Sequence, residues 1–530
     1  MWEIAAHRFE KAETMSLFRL LRTTLAHLDA LINRLYSSRY NPIYQSGSII
    51  VASVGILIVT GVYLLIFYRI GAPYQSVERI SNQLLLGRWI RGVHRYASDV
   101  AVIATVVHAL RMFLQRRSWG ARTLAWTSGL TLLLFILICG WTGYVMVWDV
   151  QAQVMATAGA KLLDVLPLFS EPISRTFVGE RDMPGAFFFL NLFAHIALPI
   201  GLSLLLYVHV SRVARPVLFP SRPLLYGFAG ALIVGSFLLP APLAGAADLL
   251  RVPARAPYDF IYSFWIPLAE HTSAGTAWLA ALSIGCAGLL IPFMTRPRKA
   301  LRPPPSVVDE RVCTGCEQCY HDCPYEAIAM HEREDGRPTL VARVDPELCV
   351  SCGICAGSCA PMGVGPAGRT GRDQLTAVKT FVATRRLAAR DVVVIACDRG
   401  AGAIAGSPEF MGCAVYPVQC AGSLHTSVVE RLLREGAGGV MIVSCPPRDC
   451  WNREGAVWLE QRLFHEREAE LQARVDRRRV RLVEAGTAER ARLAQELTAF
   501  QQEIAALDDP DGDGDLDVLE LCKRASEEVA

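Results

Sequence analysis

The stretch WIRGVHRYASDVAVIATVVHALR, Trp89 to Arg111, decides how this chain is read, because an apolar run carries two histidines, His94 and His108, fourteen residues apart. A second run, FAHIALPIGLSLLLYVH from Phe193 to His209, repeats the spacing with His195 and His209. At about 100° and about 1.5 Å per residue, fourteen steps return a side chain to within roughly 40° of its starting face and about 21 Å along the axis. Each helix therefore offers one imidazole near each side of a hydrocarbon core roughly 30 Å thick. Imidazole is a good iron ligand, and a neutral histidine inside a membrane is costly without a partner. Two matched pairs thus predict two stacked bis-histidine haems. The alternative, four separate core histidines bonded to backbone carbonyls, leaves the repeat unexplained.

Glycines repeat the same period: Gly47 and Gly61 in one apolar segment, Gly129 and Gly143 in another. Two flat macrocycles passing close to two further helices would need such positions, where a Cβ would clash. Small residues also serve ordinary helix packing in membranes. Together with GRWIRGVHRYAS and TSGLTLLLFILICGWTGYVMVWD, the histidines and glycines resemble the cytochrome b family of quinol-oxidising bc complexes. The resemblance implies that His94 shares a haem with His195 and His108 shares one with His209. It also implies that Arg91 and Arg111 partner haem propionates, and that the chain forms a homodimer.

Apolar runs at about 47–68, 92–114, 124–148, 186–210, 224–243 and 275–294 predict six spans. Before them, Arg8, Lys11, Arg19, Arg22, Arg34 and Arg39 lie among apolar residues, so 1–45 reads as an amphipathic helix on the membrane surface. Basic residues favour the N-terminal segment, the loops after the second and fourth spans, and the exit from the sixth. By the positive-inside bias, the N-terminus and everything after residue 296 face the cytoplasm from an inner membrane. His94 and His195 then lie near the outer face. The outer segment APYDFIYSFW lies where the resembled family carries Pro-Glu-Trp-Tyr at a quinol site. Here it reads Pro257, Tyr258, Asp259 and Phe260, which makes Tyr258 and Asp259 candidates for a quinone site, with an interfacial aromatic belt as the alternative.

Residues 296–311 form a proline-rich basic linker. Beyond it, Cys313, Cys316, Cys319 and Cys323, then Cys349, Cys352, Cys355 and Cys359, spell C-x2-C-x2-C-x3-C twice within 312–370. That is the bacterial ferredoxin pattern for two 4Fe-4S clusters, in which the fourth cysteine of each run serves the other cluster. Cys313, Cys316 and Cys319 therefore pair with Cys359, and Cys349, Cys352 and Cys355 with Cys323. Zinc is the other use of paired Cys-x-x-Cys. The tight clustering indicates metal binding in a reducing compartment, not a disulfide framework.

Over 390–507, β-branched runs alternate with helical ones, which predicts a small doubly wound α/β domain with cysteines at strand ends. Cys397, the Pro-x-x-Cys-x-Gly at Pro417 to Gly422, and the Cys-x-Pro-x-x-Cys at 445–450 resemble the iron-sulfur delta subunit of methyl-viologen-reducing hydrogenase. The resemblance implies that Cys397, Cys420, Cys445 and Cys450 hold a 2Fe-2S cluster, and that the partner is a soluble flavoprotein, hydrogenase or dehydrogenase. The glycines of GAGAIAG at 400–406 lack dinucleotide-binding spacing and read as a loop. In the tail, 508–530, Asp509, Asp511, Asp513, Asp515, Asp517 and Glu520 occupy the ligand slots of an EF-hand calcium loop; a solvated acidic tail is the alternative.

The expected architecture is multi-domain: an all-α transmembrane bundle, a ferredoxin-like domain with two 4Fe-4S clusters, and a small parallel-sheet α/β domain. A net charge of only +3 gives nucleic-acid binding no support. Haems and clusters carry single electrons, so the expected function is membrane electron transfer linking quinone or quinol to cytoplasmic iron-sulfur clusters and a soluble oxidoreductase. A membrane anchor and docking module for a flavoprotein complex is the reading from a different class.

Overall fold

The computed structural model describes residues 16–507, apart from short stretches of which 252–258, 297–302 and 399–412 are the longest. Tyr258, the glycine-rich 400–406 and the acidic 509–520 lie outside the described residues. The chain divides into two compact units: one comprises residues up to 302 without Ala26–Arg39, and the other comprises Ala26–Arg39 with Pro303 onward.

The first helical stretch, α1 (Ser16–Tyr40), is broken at Ser37, whose φ of 58° lies outside the helical region. The membrane unit continues with α2 (Ser46–Phe67), α3 (Pro73–Asn82), α4 (Gly87–Leu114), α5 (Thr123–Val147), α6 (Val150–Leu163), α7 (Gly185–Ser211), α8 (Arg222–Leu238), α9 (Ile266–His271) and α10 (Ala274–Thr295). Among the described residues, five helices are long and apolar enough to cross a membrane: α2, α4, α5, α7 and α10. The sixth expected span, 224–243, is the apolar α8, which stops at 17 residues. Pro240 disfavours helical geometry at Leu239, which takes φ −124° and ψ 79°, so α8 covers only about 25 Å. Side chains shared among the helices, including Val54, Ala101, Leu132, Met155, Leu202 and Tyr262, form the core of the bundle. Outward faces such as Ile58, Val59, Val62 and Ile66 remain apolar and exposed, as a lipid-facing surface requires.

In the second unit, β1 (Ser306–Val308), α11 (Gln318–Asp322), β2 (Ile328–His331), β3 (Val341–Val344), α12 (Ile354–Ser358) and β4 (Val364–Pro366) form the cysteine-rich part. Strand β1 pairs antiparallel with β4, and β2 with β3. The short helices α11 and α12 start from left-handed residues at matching places in the two cysteine runs, Glu317 (φ 62°) and Gly353 (φ 79°).

Helix α13 (Gly371–Ala383) leads into β5 (Val392–Cys397), β6 (Ala414–Val418), α14 (Thr426–Arg434), β7 (Gly439–Ser444), α15 (Gly455–Phe464), β8 (Val480–Glu484) and α16 (Arg490–Leu507). The four strands form a parallel sheet in the order β6-β5-β7-β8. Strands β5 and β7 are buried along their whole length because helices cover both faces. Val428, Leu432, Leu459 and Leu463 pack on one face, and Leu493, Leu497, Phe500 and Ile504 on the other.

The ferredoxin-like and α/β parts share a buried polar junction. Asp322, fully buried, accepts hydrogen bonds from Arg467 and from Ser358 Oγ at 2.5 Å, and lies 3.7 Å from the Arg462 guanidinium. The other arm of Arg462 donates to the Gly422 carbonyl at 2.6 Å. Burial pulls the Arg462 pKa down to about 10, and Asp322 opposes that shift. Removing one partner of such a pair leaves a buried charge uncompensated. Asp322→Ala is expected to destabilise the soluble unit by about 3–5 kcal/mol. Hydrogen exchange of the full chain in detergent should show amides of α11 and α15 losing protection; unchanged protection would refute this.

Candidate functional site

The imidazoles of His94 on α4 and His195 on α7 face each other with ring centroids 6.4 Å apart and planes inclined by 55°. A metal held at about 2 Å by one nitrogen of each ring, with each ring centre about 1 Å behind its nitrogen, needs roughly 6 Å, so the gap fits an iron-centred ring. His108 and His209, fourteen residues further along the same two helices, lie within electrostatic reach of each other.

The four glycines face these rings. A Cβ on Gly61 would come within 3.3 Å of His94 Cε1, on Gly143 within 3.0 Å of His195 Cε1, on Gly129 within 3.2 Å of His209 Cε1, and on Gly47 within 3.0 Å of His108 Cε1. The neighbour that excludes a side chain is thus the imidazole edge itself, where the sequence pointed to the macrocycle. Beside the glycines stand hydroxyls that the sequence reading missed. Thr60 Oγ1 is 2.8 Å from His94 Nδ1, Thr142 Oγ1 is 2.9 Å from His195 Nδ1, and Ser128 Oγ is 3.0 Å from His209 Nδ1. Each hydroxyl donates its own hydrogen along its helix: Thr60 to Ile56 O at 2.7 Å, Thr142 to Cys139 O at 2.8 Å, Ser128 to Leu124 O at 2.7 Å. It must therefore accept from Nδ1–H, and that assignment leaves the lone pair on Nε2, the tautomer that ligates iron. The signal was present in the sequence. Each glycine follows a serine or threonine, Ser46, Thr60, Ser128 and Thr142, at the same period of fourteen.

Arg91 donates to Ser81 Oγ at 3.1 Å, Ala241 O at 2.9 Å and Pro242 O at 2.7 Å, while Arg111 is buried with its guanidinium 4.4 Å above the Tyr44 ring. Next to His94, Arg95 pairs with both Asp99 and Asp259. Asp259 also accepts from Tyr144 OH at 2.7 Å and from the Tyr262 amide at 2.7 Å. Arg95 stacks 4.9 Å from the Tyr144 ring centre. A carboxylate, an arginine and a phenol thus meet in one mostly buried cluster, whose arginine follows His94 in the chain.

In the second unit the eight cysteines line two cavities. One is lined by Cys323, Cys349, Cys352 and Cys355 with Ser306 and Ile328; the other by Cys313, Cys316, Cys319 and Cys359 with Val308 and Met330. The fourth cysteine of each run has crossed to the other run's cavity. Backbone amides point at the sulfurs: Ala327 N at Cys323 Sγ and Gly363 N at Cys359 Sγ, each 3.3 Å away and each four residues downstream, and Ser306 N at Cys349 Sγ, also 3.3 Å away. The four remaining candidates meet at the carboxyl ends of the sheet, where its winding reverses between β5 and β7. Cys397 closes β5 and lies 3.8 Å, sulfur to sulfur, from Cys445 just after β7, with Cys420 and Cys450 within electrostatic reach. Cys413 stands apart, with Gln501 Nε2 3.6 Å from its sulfur. Burial pushes the Cys355 and Cys420 thiols up to about 12. Thiolates so placed need positive charge beside them, which bound iron provides. Among the described residues no group of three His, Cys, Asp or Glu side chains closes around a single ion.

Three family descriptions match this chain in succession. Cytochrome b/b6/petB matches residues 31–215, the 4Fe-4S dicluster domain 312–363, and the delta subunit of methyl-viologen-reducing hydrogenase 392–508. Among curated proteins, the menaquinol:cytochrome c reductase cytochrome b subunits of Geobacillus thermodenitrificans and Bacillus subtilis are each 27% identical over 164 residues, covering 30% of this chain and 73% of each relative. Cytochrome b of Sulfolobus acidocaldarius is 32% identical over 124 residues, 23% of this chain and 22% of that protein. A solved chain described as hyperthermophilic respiratory Complex III aligns with 48% of this chain and 75% of its own length at 17% identity and a TM-score of 0.36. The chain is a membrane electron-transfer subunit that joins cytochrome b, 4Fe-4S and delta-subunit modules.

The ledge of glycines gives a direct test. Gly47→Val places a branched side chain against His108 and should leave the purified chain with one b-type haem instead of two by pyridine haemochrome assay. Gly55→Val, in the same helix with nothing within 4 Å of its Cβ position, should keep both. Equal haem content in the two variants would count against the ledge.

Proposed function

We propose that this chain carries electrons between the membrane quinone pool and a soluble oxidoreductase on the cytoplasmic side of an inner membrane. In this reading the residue pairs His94/His195 and His108/His209 hold two b-type haems, the eight ferredoxin-type cysteines hold two 4Fe-4S clusters, and Cys397, Cys420, Cys445 and Cys450 hold a 2Fe-2S cluster. When bound, these groups supply one-electron chemistry at potentials set by their surroundings. The observation that carries the reading is the 6.4 Å slot between two imidazoles on one chain with two cavities each lined by four cysteines.

The protein's own part is to aim ligands and handle a proton. Thr60, Thr142 and Ser128 hold the Nδ1 hydrogens, so every Nε2 so fixed is available to metal. At the outer pair, Asp259 is the proton acceptor for a quinol hydroxyl, Tyr144 orients its Oδ2, and Arg95 stabilises the carboxylate between turnovers. A quinol releases two protons and two electrons. A carboxylate beside the first electron acceptor lets proton and electron leave by separate routes. The soluble partner is a flavoprotein, hydrogenase or dehydrogenase subunit that exchanges electrons with the α/β domain.

The experiment uses the full chain in sealed vesicles with menaquinol or ubiquinol, following haem reduction optically and cluster reduction by electron paramagnetic resonance. The native chain should show two b-type haems that reduce on adding quinol. His108→Ala should lose one haem and uncouple quinol from the clusters. Asp259→Asn should keep both haems yet slow quinol-driven haem reduction about a hundredfold, the range for removing a positioned acid or base. Quinol-driven reduction at the native rate in Asp259→Asn would remove that residue from the reaction.

A further inference from the structure

Between the α/β domain and one of the two ferredoxin-type cavities lies an arginine with no assigned role. Arg369, half-buried in the turn after β4, donates through one arm to Ser351 O at 2.8 Å and Ser351 Oγ at 3.0 Å, and through the other to Gln419 Oε1. Ser351 immediately precedes Cys352, and Gln419 immediately precedes Cys420. The side chain thus bridges the ligand loops of two different sites. Around it the same loops interlock without side-chain space. A Cβ on Gly353 would meet Ser423 Cβ at 3.1 Å. One on Gly455 would meet Cys420 Sγ at 3.3 Å and Ile354 Cδ1 at 3.4 Å. The charge of Arg369 reaches Cys349, Cys352, Cys355 and Cys420 together. The other cavity, lined by Cys313, Cys316, Cys319 and Cys359, receives a different neighbour. There His425 Nε2 is 3.2 Å from the Cys359 carbonyl, and its Nδ1 is 2.8 Å from Ser427 Oγ. The cations on that side are different ones: Arg462, opposed by Asp322, reaches from the Gly422 carbonyl to Ser358 Oγ, and Arg333 donates to the Cys313 carbonyl at 3.2 Å.

We propose that Arg369 is a positioning residue shared by two iron-sulfur sites, clamping the Cys397/Cys420/Cys445/Cys450 site against the Cys323/Cys349/Cys352/Cys355 site, and that these two exchange electrons directly. This rests on the reading that both cysteine sets hold clusters. The exchange moves one electron: one site is oxidised by one unit and the other reduced by one, with no bond made or broken and no proton transferred. Each reduction adds negative charge next to a fixed guanidinium, so Arg369 favours the reduced form of both sites at once. The cysteines that the Arg369 charge reaches are those of these two sites, and those of the Cys313/Cys316/Cys319/Cys359 site are not among them.

The test is a redox titration of the full chain in detergent, poised with dithionite and read by electron paramagnetic resonance, on the native protein, Arg369→Gln and Arg369→Lys. Cys316→Ser identifies the signal of the more distant cubane. Arg369→Gln should lower the midpoints of the two-iron signal and of the nearer cubane by about tenfold in the reduction equilibrium, 59 mV for one electron. The distant cubane should stay in place, and Arg369→Lys should restore most of the shift. Iron content equal to the native chain shows that Gln has not emptied a site; lost iron in Gln with native midpoints in Lys would make Arg369 structural only and overturn the proposal. Equal shifts in all three centres, or in the distant cubane alone, would overturn it as well. A native chain with a two-iron signal but no shift overturns this inference and leaves the function standing. A native chain without a two-iron signal overturns this inference together with that part of the function.

Discussion

The hydrogen bond from histidine Nδ1 to a helical serine or threonine hydroxyl is the constraint on which the membrane half depends. An imidazole can present either nitrogen, and in an apolar bundle nothing but a fixed acceptor chooses between them. The hydroxyls of Thr60, Thr142 and Ser128 are committed to carbonyls of their own helices, so each is left with only an acceptor lone pair to offer. The glycine after each hydroxyl lets the ring edge come within van der Waals contact of the backbone. One dipeptide, hydroxyl then glycine, therefore sets the tautomer, depth and tilt of the ligand opposite it. Repeated at a period of fourteen, it forces α2 against α4 and α5 against α7 with paired rings between them.

Much of this was legible because the period of a ligand pair is a property of the helix, and a helix in lipid has few other ways to be. His94, His108, His195 and His209 declared themselves by spacing, and so did the glycines. The hydroxyls escaped notice because a lone serine or threonine in an apolar run ordinarily bonds its own i−4 carbonyl and signals nothing; only its place before each glycine distinguished it. The apolar run at 224–243 is longer than its helix because hydropathy counts on past Leu238, whereas Pro240 ends the ladder there. The crossing of Cys323 and Cys359 to opposite cavities followed from the spacing of the two runs. The contact between Ser351 and Gln419 through Arg369 could not, since neither composition nor period marks a side chain that joins two loops almost seventy residues apart in the chain.

In the α/β part the position of the site follows from topology more than from any one residue. A parallel sheet that winds outward from β5 in both directions leaves a crevice at the carboxyl ends of β5 and β7, with no crossover to fill it. Cys397 and Cys445 stand on the two lips of that crevice. Cys420 and Cys450 are delivered by the loops after β6 and β7. Because all four thiols are buried, the crevice is unsuited to exchangeable anions. It suits a resident cationic centre.

The two halves of the protein solve the same problem, aiming a metal ligand, with different chemistry, and the dielectric explains the difference. In the bundle interior the groups that touch the histidines are neutral hydroxyls and glycines, because a fixed charge there would cost more than the orientation it gives. In the soluble unit, Arg369, Arg462 and Asp322 perform that task with full charges, each compensated by a partner or by carbonyls. The cluster of Arg95, Asp99 and Asp259 breaks the rule for the membrane half, since it holds three ionisable groups in mutual contact, one of them on the residue that follows His94. A charge set that the bilayer penalises and the histidine slot does not need for its own geometry has to be retained for something else. Proton transfer, the role given to Asp259 in the proposed function, is a chemistry that a carboxylate, a guanidinium and a phenol can perform and that hydroxyls and glycines cannot.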